Sequence, residues 1–108
     1  MKTDNFLDFF KKKKEIFIYG FSEEETWDLY YYAAKWAYPR LKQFAKRNDG
    51  GPSNLTSYIW KRILNEMLFG LEYVLDKDEM EHEEKLKIEK RGMRGLAFIS
   101  KYYFDLWY

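Results

Sequence analysis

The stretch FSEEETWDLYYYAAKWAYPRLKQFAKRNDGGPSNLTSYIWKRILNEMLF, residues 21–69, decides the fold of this chain. It opens with a capping box, in which Ser22 caps a helix and Glu25 stands three residues later. Phe21 precedes the cap as a hydrophobic staple. A turn of composition Asn-Asp-Gly-Gly-Pro follows at residues 48–52, and a second helical pattern follows the turn. This order predicts a small all-α domain.

The first predicted helix starts at Ser22 and contains a proline. Pro39 has no N–H to donate to the carbonyl of Lys35, so it predicts a kink or a split of the helix at that point. The apolar residues of the helix recur three or four positions apart and form one face, at Trp27, Tyr31, Ala34, Tyr38 and Leu41.

The second predicted helix is capped by Ser53, Asn54 or Thr56 and has the broad apolar stripe of a core helix. Gly70 within the stripe predicts close packing or a local bend. The stripe comprises Ile59, Trp60, Ile63, Leu64, Met67, Leu68, Leu71, Val74 and Leu75.

A third helix is predicted from a charged stretch followed by an aromatic one. Residues 76–91 mix both signs of charge at helical spacing, which predicts a solvated helix. From Leu96 onward the pattern is apolar and aromatic. We therefore expect a long third helix, with Gly92 and Gly95 as a hinge between its halves.

Residues 1–20 are predicted to form an N-terminal arm ahead of a helical domain of residues 21–108. Ile16 to Tyr19 has the composition of a strand, but one strand without a partner forms no sheet. A short strand and a helical or extended arm both remain open for this segment.

The composition excludes several classes of protein. The 108 residues suffice for one domain, and the absence of cysteine excludes disulfides and thiolate metal sites. The net charge of +1 gives no global field to attract nucleic acid, so a nucleic-acid partner is not expected. No apolar run is long enough to span a membrane, and the N-terminal residues do not contain a signal-peptide core. Aromatic residues make up 21% of the chain, a surplus that favours an interface or a stacking surface.

The sequence does not predict an enzyme. His82 is the only histidine and lies among Glu79, Glu81, Glu83 and Glu84, a setting typical of a solvated imidazole. Glu79 and His82 have the Glu-x-x-His spacing of di-metal helical bundles, but such sites need two of these motifs and two further glutamates. No catalytic residue, metal site or cofactor is therefore expected.

A ligand site is predicted where aromatic and basic residues alternate on the first helix. Trp36 and Tyr38 could stack on a base, while Arg40 and Lys42 could hold a phosphate. Alternatively, the basic residues only solvate this face and complement the dipole at the helix C-terminus.

The aromatic C-terminus predicts self-association. If the third helix continues to the end of the chain, its last aromatic residues occupy every side, and a helix that is apolar all round is normally buried all round. In so small a chain this requires a partner, although an intramolecular aromatic cap is the alternative. The predicted interface comprises Tyr102, Tyr103, Leu106 and Trp107.

A series of short motifs runs along most of the chain, and their order is more specific than any one of them. They are Gly20-Phe21-Ser22, Trp27-Asp28-Leu29, Pro39-Arg40-Leu41-Lys42 with Phe44, Gly51-x-x-x-Leu55, Trp60, Ile63-Leu64-x-Glu66-Met67, Gly95-Leu96-x-Phe98, Lys101-Tyr102 and Leu106-Trp107. In this pattern the chain resembles a group of small all-helical proteins of tailed bacteriophages.

The resemblance implies a phage origin and expression in the cytoplasm of a bacterial host, and it carries no catalytic residues. Accessory phage proteins of this size commonly bind components of the host or of its defences. Two functions follow as hypotheses. The protein sequesters a small anionic, nucleotide-type ligand in a homo-oligomer, or it inhibits a host immune enzyme or complex by docking an aromatic face on it.

Overall fold

The computed structural model of the protein describes residues 24–47 and 51–106, and every regular element in these ranges is helical. The all-α prediction with three main helices is confirmed for this part of the chain. The predicted cap at Ser22, the N-terminal arm and Trp107 lie outside the described residues. In chain order the elements are α1 (Glu24–Trp27), α2 (Leu29–Arg47), α3 (Ser57–Asp76), a 3₁₀ turn (Lys77–Glu79), α4 (His82–Lys101) and a second 3₁₀ turn (Tyr103–Asp105).

The chain divides into two compact units, residues 1–32 and residues 33–108. In the first unit, the four-residue α1 ends before Asp28, and α2 begins directly after it. The Asp28 carbonyl accepts from the N–H groups of Tyr31 and Tyr32, at 3.0 and 3.1 Å. A carbonyl oxygen has two lone pairs and can accept both hydrogen bonds. The helical stretch is therefore interrupted at Asp28, where the sequence pattern predicted none.

Pro39 does not split the helix, so that part of the prediction is wrong. Helix α2 continues through Pro39 to Arg47. Only one backbone bond is lost at a proline, and packing of the flanking turns can hold the helix across that gap. Ala34 and Leu41, on either side of the proline, are both buried in the core of the second unit. The kink itself stays a prediction.

Helix α3 forms the centre of the second unit. Of the three predicted caps, Thr56 is the one in place, because its Oγ1 accepts from the Ile59 N–H at 3.2 Å. The predicted stripe is largely confirmed as core, except that Ile59 is exposed. Tyr73, outside the predicted stripe, is buried. The buried residues of this core are Ala34, Leu41, Trp60, Ile63, Leu64, Met67 and Leu71.

Three glycines bring the backbones of α3 and α4 into direct contact. A Cβ on Gly70 would lie 2.7 Å from the N of Leu96 and 3.0 Å from the O of Gly92. A Cβ on Gly95 would overlap the carbonyl oxygen of Glu66. The predicted close packing at Gly70 is thus confirmed. The predicted hinge is wrong, because α4 runs unbroken through Gly92 and Gly95, which serve the helix contact instead.

The third predicted helix is shorter than expected at both ends. Helix α3 takes the chain to Asp76, and α4 begins only at His82, after a 3₁₀ turn. At its other end α4 stops at Lys101, and a 3₁₀ turn follows Tyr102. The last aromatic residues therefore do not occupy every side of one helix, and the argument for self-association that depended on this is wrong. No helix in the described part of the chain is long and apolar enough to cross a membrane.

An ion pair joins the two helices beside the glycine contact. Arg91 Nε and Nη2 donate to the two carboxylate oxygens of Glu66, at 2.9 and 3.1 Å. The Arg91 guanidinium also lies over the Phe69 ring, with Cζ 4.0 Å from the ring centroid. The hydrogen bonds from Arg91 hold the pKa of Glu66 below its ordinary value, although partial burial opposes this shift.

We expect Glu66→Gln to lower the free energy of unfolding at pH 7 by about 0.5–1 kcal/mol, at the upper end for an exposed pair because the geometry is bidentate. A carboxyl group whose pKa is depressed by folding stabilises the native state above its unfolded-state pKa, and this contribution is lost as pH falls through the folded-state pKa. The difference between wild type and variant in urea unfolding should therefore shrink when the pH is lowered well below the ordinary value of 4.5. Glu89→Gln, an exposed glutamate on α4, is the matched control. A difference that stays constant in acid would contradict the role of the Glu66 charge.

Candidate functional site

The charged residues on the solvent-facing side of α2 within residues 33–47 are all basic. Its apolar side, with Ala34 and Leu41, faces the core, and the opposite side is exposed. Helix α2 contains no acidic residue. Its basic residues are Lys35, Arg40, Lys42, Lys46 and Arg47. A chain whose net charge is only +1 therefore concentrates positive charge on one helix.

Trp36 and Arg40 form a stacked pair on this side. The Trp36 side chain is 63% exposed, and Arg40 Cζ lies 4.2 Å from the centroid of its ring. Arg40 Nη1 also donates to the Trp36 carbonyl oxygen at 2.8 Å. The guanidinium is thus held in place by two contacts and retains further N–H donors for a ligand.

Tyr38 and Lys42 form a second pair, and Tyr38 of this pair is hydrogen-bonded to α3. The Tyr38 hydroxyl donates to Glu72 Oε1 of α3 at 2.5 Å. This hydrogen bond to a carboxylate is the main cause that raises the pKa of Tyr38, and burial adds to it. Lys42 Nζ lies 5.9 Å from the Tyr38 ring centroid. Because the Tyr38 hydroxyl already donates to a carboxylate oxygen of Glu72, the Tyr38–Lys42 pair is less suited to binding an anion than the Trp36–Arg40 pair.

The four residues predicted as one ligand site do not form a single cluster. An α-helix advances about 100° per residue, so residues four apart lie about 40° apart around the axis. Trp36 and Arg40 therefore share one side of α2, and Tyr38 and Lys42 share another about 160° away. The structure brings the residues together in pairs.

Gln43 and Arg47, which the sequence analysis did not assign to the site, extend the first pair. Both side chains are exposed. With the Gln43 amide oxygen turned toward Arg47, it accepts from Nε at 2.6 Å and from Nη2 at 3.1 Å. The spacing of four, three and four residues along Trp36, Arg40, Gln43 and Arg47 is the signal that could have identified them. We call these four residues the α2 stripe.

The predicted aromatic interface is divided between the core and the surface. Tyr102 packs edge-on against Trp60, with ring centroids 5.7 Å apart, and Leu106 lies against the same core. Tyr103 and Phe104 are 63% and 89% exposed and contact each other edge-to-face. Only these two of the described C-terminal aromatic residues present open rings to a partner.

The residues considered for catalysis are on the surface. His82 begins α4, and Glu79, Glu81, Glu83 and Glu84 around it are exposed like it. Among the described residues, no group of three or more histidine, aspartate and glutamate side chains is placed to hold a metal ion. This arrangement provides solvated charges and no enclosed acid–base pair.

Comparison of the chain with models of known protein families, with curated proteins and with solved structures finds no match. The function therefore has to be inferred from the chemistry of the described surface.

Proposed function

We propose that the protein is a phage accessory protein that binds a nucleotide-type anion at the Trp36–Arg40 pair. In this proposal it acts in the cytoplasm of the bacterial host as a homo-oligomer and counters host defence by sequestering the ligand. The observation that carries the proposal is the guanidinium of Arg40 fixed over an exposed tryptophan, on a helix with five basic and no acidic residues.

The pair combines the two contacts that a nucleotide needs. Phosphate oxygens favour the planar, permanently charged guanidinium, which can donate two hydrogen bonds at once. The exposed indole of Trp36 offers a surface on which a base can stack. Because Arg40 is already held by the ring and by the Trp36 carbonyl, binding costs less side-chain entropy than it would for a free arginine.

Enclosure of a small ligand is the reason for proposing a homo-oligomer. Small-molecule sites usually bury most of the ligand in a concave pocket. A single exposed helix face is convex, so a second copy of the chain would supply the missing wall.

The exposed pair Tyr103–Phe104 favours a second candidate function. Aromatic residues are enriched at the centres of protein interfaces, where they contribute much of the binding energy. In this alternative, the protein inhibits a host immune enzyme or complex by docking this pair on it.

We expect Arg40→Ala to weaken the binding of AMP and ATP by about tenfold to a hundredfold, the usual contribution of a charge-assisted hydrogen bond. Arg94→Ala, which removes an exposed arginine from α4, is the matched control and should leave binding unchanged. Isothermal titration calorimetry of both variants and of wild type measures the effect, and circular dichroism checks that each variant is folded. Equal affinities for wild type and Arg40→Ala would remove Arg40 from the site.

Native mass spectrometry of the protein purified from bacterial cells distinguishes the two candidates. An oligomer that releases a mass of a few hundred daltons on denaturation would support sequestration. A particle that retains a host polypeptide, and loses it in Phe104→Ala, would support the inhibitor. A bare monomer would contradict the homo-oligomer.

A further inference from the structure

The α2 stripe is longer than one nucleotide requires. An α-helix rises about 1.5 Å per residue, so Arg40 and Arg47 are about 10 Å apart along the axis, and the stripe from Trp36 to Arg47 spans about 16 Å. This spacing is longer than that between consecutive phosphates, so a strand with a base on Trp36 suits contact with both arginines better than a nucleoside polyphosphate does. In a stacked single strand successive phosphates advance about 3.4 Å, so 16 Å corresponds to about five nucleotides.

The guanidinium of Arg47, like that of Arg40, is held by hydrogen bonds to a neighbouring residue of the same helix. With its amide oxygen turned toward Arg47, Gln43 accepts from two N–H groups of that guanidinium, as the Trp36 carbonyl accepts from Arg40. In each case a neighbour on the same face of the helix fixes the guanidinium and leaves other donors unused. The result is two oriented cations with an exposed aromatic ring at one end.

The charges beside the stripe also favour an anionic chain over a compact anion. Lys46 is exposed and adjacent to Arg47, and α2 offers no carboxylate to compete. The hydrogen bond from Tyr38 to Glu72 lies on another side of the helix. A convex row of cations exposes its ligand to water, as in proteins that follow a single-stranded backbone with a basic surface and stack its bases on aromatic rings.

We infer that the ligand of the α2 stripe is a single-stranded oligonucleotide, with a base stacked on Trp36 and phosphates held by Arg40 and Arg47. This inference rests on the proposed function, because it extends the same site from one nucleotide to a strand. The net charge of +1 does not oppose it, because the electrostatic attraction acts through the phosphates close to the stripe and is screened within about 10 Å at ordinary salt.

The test measures fluorescence anisotropy with labelled oligothymidylates of two, four and eight nucleotides, with AMP and ATP as unlabelled competitors. We expect affinity to rise at least about tenfold from the dinucleotide to the octanucleotide, because only the longer strand reaches both arginines and the tryptophan. Oligouridylate should bind equally well, since the stripe reads phosphates and base faces.

Salt dependence separates the contribution of each arginine. Two phosphate contacts predict a slope of log affinity against log salt of about −1.4 for a single strand, and Arg47→Ala should reduce its magnitude by about 0.7. Arg94→Ala carries the same change of charge on α4 and should leave the slope unaltered. Trp36→Ala should lower the affinity for the octanucleotide and leave the slope of log affinity against log salt unchanged, because it removes stacking and no charge.

The outcomes distinguish this inference from the proposed function. If ATP binds as tightly as the octanucleotide and Arg47→Ala is without effect, the strand is refuted and the single-nucleotide site stands. If no nucleotide of any length binds, both are refuted. If an abasic phosphate chain or polyglutamate binds as tightly as the octanucleotide, or if Arg94→Ala weakens binding as much as Arg47→Ala, the stripe is an unspecific polyanion surface and the inference fails.

Discussion

Gly95→Ala should destabilise the protein by about 3 kcal/mol, although helix propensity alone predicts the opposite sign. Alanine in a helix interior is favoured over glycine by about 1 kcal/mol. At Gly95, however, the added Cβ would overlap the carbonyl oxygen of Glu66 and lie 2.9 Å from the N of Gly70. These are backbone atoms, which cannot rotate away, so α3 and α4 would have to separate. Overpacking of this kind costs about 1–3 kcal/mol and sometimes more.

Chemical denaturation and thermal unfolding measure this loss, which should lower Tm by about 10–20 °C in a domain of this size. Asn65→Ala is the matched control, because it raises helix propensity at an exposed position of α3 and should stabilise slightly. Gly92→Ala should also destabilise the protein, since its Cβ would lie 2.5 Å from Cγ and 2.8 Å from Cβ of the buried Tyr73 side chain. A Gly95→Ala protein as stable as wild type would mean that the helices are not in backbone contact.

The fold was predictable where it depends on short-range patterns. The apolar stripe of α3 follows from residues three and four positions apart, and the structure confirms most of it. The sequence limited the cap of α3 to Ser53, Asn54 or Thr56, and the structure selects Thr56. The role of the glycines was not predictable in the same way. Gly70 was assigned to close packing or a bend and Gly95 to a hinge, and only the partner helix decides between these roles. The end of α4 at Lys101 also carried no signal, because the aromatic residues beyond it are compatible with a helix.

In the candidate site, too, contacts within one helix were predictable from the sequence and contacts between helices were not. The stacking of Arg40 on Trp36 joins residues four apart in one helix, and sequence spacing is sufficient to suggest it. The bond from Tyr38 to Glu72 joins residues 34 positions apart, and it shows that Tyr38 serves the packing of α2 on α3. Aromatic character alone could not distinguish Trp36, which is exposed to solvent, from Tyr38, which already has a hydrogen-bond partner.

Trp60→Ala should be the most damaging single truncation in the core, with a loss of about 3–5 kcal/mol. Trp60 is fully buried and lies at the centre of the second unit. The backbone of Gly51 approaches its ring so closely that a Cβ there would lie 2.6 Å from Trp60 Cγ. Tyr102 contacts the ring from the end of α4. Removal of the indole would thus leave a cavity between the loop before α3, α3 itself and the C-terminal turn.

Trp60→Phe separates the size of the ring from its polar atom. Trp60 Nε1 is buried and has no hydrogen-bond partner among the described residues. Burying an unpaired N–H costs about 1–3 kcal/mol, so phenylalanine regains part of what it loses in contact area. We therefore expect Trp60→Phe to be much less destabilising than Trp60→Ala in urea unfolding. Because both variants lack Nε1, equal losses would mean that a phenyl ring recovers no packing at this site.

A double-mutant cycle between Trp60 and Tyr102 completes this prediction and decides the role of Tyr102. An edge-to-face pair contributes about 0.5–1.5 kcal/mol beyond its buried area, so the losses in Trp60→Ala and Tyr102→Ala should be less than additive by that amount. If Tyr102 belongs to the core, Tyr102→Ala lowers stability and leaves the mass of the native particle unchanged. If Tyr102→Ala changes the mass of the native particle and the losses of stability in the two variants are additive, Tyr102 lies in an interface between copies. The cycle therefore tests the packing of the core and the place of self-association with the same variants.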